Sequence, residues 1–142
     1  MTQREEIRVV GLSEPISHYT DAVRFGDLLF VSGAAPFDAD GRVVGVGDVV
    51  EQTRQVLRNL RAILETVGAD LSDVLKVTVF LTNMADRTLI NPVRQEFFGD
   101  ARPASTLIEV SALADPGMLV EIEAVAGITS TAADAGGRKA SV

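Results

Sequence analysis

The stretch DVVEQTRQVLRNLRAILETVGADLSDVLKVTVFLT, residues 48–82, changes its hydrophobic period once. Val49, Val50, Val56, Leu57, Leu60, Ile63, Leu64 and Val67 recur at 3.6-residue spacing, which predicts an amphipathic helix. Asp48 is a good N-cap, with Glu51 three residues on as in a capping box, and Gly68 fits the C′ position. Gln52, Arg54, Arg58, Arg61 and Glu65 occupy the opposite face and read as its solvated side. Beyond Gly68 the period becomes two. Leu75, Val77, Val79 and Leu81 alternate with Lys76, Thr78, Phe80 and Thr82, which predicts a strand.

Upstream, Ile7–Leu12 is a short apolar run that reads as a strand. Ala22–Phe25 and Leu28–Ala34 flank Gly26-Asp27 and read as a hairpin. Residues 36–47 hold four Gly or Pro and read as a loop, with a short strand at Arg42–Val44. Downstream, Leu89, Ile90, Val93 and Phe97 keep helical spacing over Asp86–Phe98. Pro92 lies inside that segment, so a break or kink is expected at 91–92, with Asn91 as N-cap. Thr106–Val110 and Leu119–Ile128 read as the last strands. From residue 129 the chain is rich in Ser, Thr, Ala and Gly, and reads as a disordered tail after a single domain of residues 1–128.

The order β-β-β-α-β-α-β-β predicts an α+β fold, one sheet packed on two helices. Phe30-Val31, Val79-Phe80-Leu81 and Val120, Ile122 and Val125 leave no consistently polar face, which predicts a homo-oligomer.

The chain has 142 residues, enough for one core without staples. Its net charge of −7 argues against a nucleic-acid partner. With no cysteine, cysteine nucleophiles and cysteine–zinc sites are excluded, and one histidine makes no His-rich metal site. There is no apolar run of about 18 residues and no signal-peptide core near the N-terminus, so a cytoplasmic protein without a membrane partner is expected.

Few side chains carry chemistry. Glu121 and Glu123 stand two apart in a strand and share a face, as a general base and its neighbour or as a solvent-facing edge. His18 has the one side chain with an ordinary pKa near neutrality, and reads as a pocket acid/base or a surface loop residue. Ser32-Gly33 ends an apolar strand. Arg102 either clamps an anion or pairs with Asp100.

The blocks Phe30-Val31-Ser32-Gly33, Val77-Thr78-Val79-Phe80-Leu81, Arg102-Pro103-Ala104-Ser105-Thr106 with Glu109-Val110, and Val120-Glu121-Ile122-Glu123-Ala124 resemble the YjgF/reactive-intermediate-deaminase (Rid) family, also called the L-PSP endoribonuclease family. The resemblance covers residues 15–128. It implies a chorismate-mutase-like homotrimer with ligand sites in clefts between subunits, and cofactor-free hydrolysis of reactive imines and enamines. It assigns Tyr19, Ser32, Gly33 and Asn91 to the pocket and makes Glu121 the residue that positions water. The arginine expected to hold a substrate carboxylate falls at Ser105, and Arg102 is the first arginine of the pattern. A serine cannot clamp a carboxylate bidentately, so weak or absent activity on the imine of 2-aminoacrylate is expected. Arg102, Arg24 or His18 of a neighbouring subunit are the candidate replacements. A non-catalytic ligand-binding trimer and a specialised pathway enzyme on the same fold remain alternatives.

Overall fold

A computed structural model of the chain describes residues 3–129. All of the expected tail but its first residue lies outside these residues. Eight regular elements follow in order: β1 (Arg4–Ile7), β2 (Ala22–Phe25), β3 (Leu28–Ala34), α1 (Val49–Thr66), β4 (Val74–Leu81), α2 (Arg87–Phe98), β5 (Ala104–Glu109) and β6 (Val120–Gly127). The six strands make one sheet, ordered β1-β2-β3-β6-β4-β5. All pairs are antiparallel except β4–β5, which α2 connects as a parallel crossover.

Both helices cover one face. Leu57, Leu60 and Leu64 of α1 and Ile90 of α2 are fully buried against Leu29, Val77, Val79, Val120 and Ile122 of the sheet. The Asp48 carboxylate caps α1 by accepting from the N–H groups of Val50 and Glu51, and Gly68 follows its end at φ +77°. The capping box itself does not close: the Asp48 N–H donates instead to Gly45 O at 2.8 Å.

Gln52 is the polar tie inside this layer. Completely buried, it donates from Nε2 to Gly117 O (2.8 Å) and Gly45 O (3.3 Å), and accepts from the Leu119 N–H at Oε1 (2.8 Å). It thereby fixes the loop entering β6 and the loop before α1. Gln52→Leu strands those backbone groups away from water. Thermal or denaturant unfolding is expected to show a loss of roughly 2–4 kcal/mol.

Two expectations about elements are corrected. The Ile7–Leu12 run is not a strand: β1 lies earlier, and the run turns into the core. Val9 is buried, and its N–H donates to Asp21 Oδ2 at 2.8 Å, where Arg8 also forms an ion pair. Charged Arg4, Glu5 and Glu6 suit β1 because it is an edge strand. Secondly, α2 runs unbroken through Pro92, and Asn91 is not an N-cap. Proline in a helix interior costs about 3 kcal/mol. Here Pro92 and Thr88, whose carbonyl loses its partner, lie on the exposed side, while Ile90, Val93 and Phe98 are buried around them. Their burial outweighs the lost bond, at about 1.5–3 kcal/mol per large apolar side chain. The segment Arg42–Val44 forms only a bridge, Phe37 to Val43.

The other sheet face carries Phe25, Leu28, Phe30, Leu75, Phe80 and Ile108, five of them substantially exposed. The two-sided apolar character read from the strands is therefore present in the folded chain. Among the described residues no helix is long and apolar enough to cross a membrane.

Candidate functional site

The candidate residues fall into two groups. The first lies at the end of β3. Ser32, Gly33 and Tyr19 line a small hollow of about 60 Å³ with Asp21 and Asn59. Asn59 of α1 shapes this hollow by donating to Ala35 O (2.9 Å) and Phe37 O (3.0 Å). The Ser32 hydroxyl donates to Thr20 O at 2.6 Å, so it is oriented and its remaining capacity is as an acceptor. Tyr19 is half-exposed, and its hydroxyl accepts from the Ile16 N–H at 3.4 Å.

Glu121 belongs to this group through Gly33. A Cβ built on Gly33 would sit 2.0 Å from Glu121 Oε1 and 2.7 Å from its Cδ. The absence of a side chain at 33 is what lets the carboxylate lie against the β3 backbone. Glu121 is half-buried, and desolvation pushes its pKa up, helped by the like charge of Glu123. Glu123 is exposed. Both point to the face opposite the helices, as the spacing predicts, because Val120, Ile122 and Ala124 point inward.

The second group lies where the end of α2 faces β5. Asn91, Arg102 and Ser105 line an open groove of about 650 Å³, with Arg94 and Gln95. That volume suits a small ligand. Arg94 Nη2 donates to Ser105 Oγ at 2.9 Å. Arg94 is half-buried, and desolvation lowers its pKa. Arg102 and Asp100 both line the groove but form no ion pair with each other.

Arg94 was not singled out by sequence reasoning. The signal was available: it stands three residues after Asn91 and therefore on the same helix face. His18 is exposed and lines neither cavity. Arg24, on β2, lines neither of these cavities and donates to Gly26 O.

Within one chain the two groups do not converge. Ser105 is in register with Val77, on the helix face, whereas Glu121 is in register with Phe80 on the other. Strands β6 and β4 also separate β3 from β5, three spacings of about 4.8 Å each.

This geometry defines a small α+β domain carrying two separate polar clusters on one sheet. The sequence profile of the endoribonuclease L-PSP family matches residues 11–128, and the chain belongs to that family, which includes the Rid and RutC proteins. A RutC family protein of Pyrococcus horikoshii is 43% identical over 123 residues, covering 87% of this chain and 97% of that one. The 3-aminoacrylate deaminase RutC of Acinetobacter baylyi is 38% identical over 125 residues, 88% of this chain and 98% of that one. Among solved structures, Escherichia coli TdcF with bound serine superposes with a TM-score of 0.80 at 31% identity, covering 87% of this chain and 98% of that one.

Proposed function

We propose that the protein hydrolyses a reactive imine or enamine to a carbonyl compound and ammonia, at a cleft assembled between subunits of a homotrimer. The observation that carries this reading is the Glu121 carboxylate, half-buried against the bare backbone of Gly33 with a raised pKa. A carboxylate so shielded binds a proton more readily than an exposed one, as a group that takes a proton from water and returns it must. The deaminase named among the relatives supports the reaction class.

In the proposed reaction Glu121 accepts a proton from water as its oxygen attacks the imine carbon. The C=N electron pair moves to nitrogen, which takes up a proton. In the collapse of the carbinolamine its hydroxyl proton passes by way of Glu121 to the leaving nitrogen, the C–N bond breaks, ammonia departs and C=O remains. An enamine first tautomerises to the imine by protonation at carbon. Oriented Ser32 and Tyr19 fix the substrate from the β3 side, which lowers the barrier by positioning. No cofactor enters the balance. Specificity differs from that of relatives with arginine at position 105, because the Ser105 hydroxyl forms no bidentate clamp.

The separation of the two clusters supports the assembled cleft. The open apolar face supplies the surface for packing three copies, and a heterologous contact lets Glu121 and Gly33 of one subunit meet Asn91 and Ser105 of the next. Mixing tests this. Glu121→Gln and Asn91→Ala each lower activity, and co-refolded mixed trimers regain both intact halves at about one site in four. Recovery to about a quarter of wild-type activity is expected, with sedimentation as a trimer. A monomer, or no recovery from a trimer, would overturn the assembled site.

A further inference from the structure

Arg94 is a half-buried cation without an acidic partner. Among the described residues the ion pairs are made by Arg4, Arg8, Arg54 and Arg58. The one side-chain partner of Arg94 is the neutral hydroxyl of Ser105, 2.9 Å away. Removing a guanidinium from water is unfavourable unless an anion compensates. Desolvation lowers the Arg94 pKa, yet an arginine keeps its charge at any working pH. The groove around it adds a second guanidinium, from Arg102, and the side-chain amides of Asn91 and Gln95. Asp100 lines the same groove and is paired with neither arginine.

We infer that Arg94, held in place by Ser105, is the specificity-determining residue of the groove and receives the substrate carboxylate from α2. Ser105 is then a positioning residue. The positive charge missing from β5 is supplied by α2, across one hydrogen bond. The two origins lie on different elements, which changes where the carboxylate sits and hence which carbon skeleton fits. This inference rests on the hydrolysis reading for its catalytic half and on the groove alone for its binding half.

The test measures a ratio: kcat/KM for a carboxylate-bearing imine over that for its matched carboxylate-free analogue, both generated in situ. Wild type is expected to favour the carboxylate by about 30- to 1,000-fold. Arg94→Met is expected to bring the ratio to within about threefold of one, with Arg94→Lys between the two. Ser105→Ala is expected to lower it less, mainly through KM, and Ser105→Thr, which keeps the hydroxyl, to restore it. Binding of 2-oxobutanoate, which has a carboxylate but no imine, is measured in parallel by calorimetry, and is expected to weaken at least tenfold in Arg94→Met. An unchanged ratio in a folded Arg94→Met protein overturns the inference and leaves the hydrolysis reading standing. If wild type hydrolyses no imine, the hydrolysis reading fails. The 2-oxobutanoate arm then decides alone: equal binding by wild type and Arg94→Met overturns the role of Arg94, and loss of binding sustains it.

Discussion

Glu121→Gln is expected to lower kcat/KM for imine hydrolysis by about 10²- to 10⁴-fold, the range that one positioned acid–base group supplies. Glutamine keeps the size and the hydrogen-bonding atoms but cannot take the proton from water. The pH profile separates this from a packing effect. Burial raises the Glu121 pKa, with Glu123 adding to it, so the base form appears only above the ordinary glutamate range. Activity of the wild type therefore rises with pH along an acid limb displaced upward, and that limb is absent from the residual Glu121→Gln activity. Glu123→Gln removes a like charge and moves the limb to lower pH. Stability runs the opposite way. With the folded pKa above the unfolded one, the native state binds more protons between the two values. The contribution of Glu121 is fully present below the unfolded pKa and is lost as pH rises through the folded pKa. Thermal unfolding should then find Glu121→Gln more stable than wild type at about pH 8, with the difference vanishing toward about pH 4.

Gly33→Ala is expected to cost about 100-fold in activity with almost no loss of fold. The three heavy atoms nearest the added methyl carbon all belong to the Glu121 side chain, at 2.0, 2.7 and 3.1 Å for Oε1, Cδ and Cγ. The end of a glutamate swings away easily, so the backbone need not move. Gly33 is not among the glycines at positive φ, so alanine fits its conformation, and the stiffer unfolded chain offsets part of any strain by about 0.4–1 kcal/mol. The displaced carboxylate is the damage, since about 1 Å of misplacement costs roughly 100-fold. Activity within threefold of wild type, at an unchanged melting temperature, would show that the position of this carboxylate does not matter.

The sequence made the regular elements legible wherever period and punctuation agreed. The hairpin around Gly26-Asp27, the helix closed by Asp48 and Gly68, and the strand Val74–Leu81 all stand where their patterns put them. It misled where a local rule met a stronger non-local term. Pro92 breaks an isolated helix, but burial of Ile90 and Val93 on either side of it holds α2 together. The apolar run after Ile7 looked like a strand, but the Asp21 carboxylate binds the Val9 N–H and turns the chain inward.

The site shows the same division. The resemblance puts Tyr19, Ser32, Gly33 and Asn91 in one pocket; that Asn91 lies with Arg102 and Ser105, apart from the other three within one chain, shows only in the fold. That Gly33 exists for the sake of Glu121 was not legible, because 88 residues separate them and only the pairing of β3 with β6 brings them together. The contact of Arg94 with Ser105 was hidden for a related reason: Ser105 lies on the next element, and the hydrogen bond between them depends on how α2 docks beside β5.

Whether this chain hydrolyses imines is read from the rate at which the purified protein does so. Imines generated in situ from a panel of amino acids and amines would be trapped competitively with semicarbazide. The protein is expected to accelerate loss of at least one imine to its carbonyl product, and Glu121→Gln to lower that acceleration by about 10²- to 10⁴-fold. No acceleration of any imine by the folded protein across the panel would contradict the hydrolysis reading.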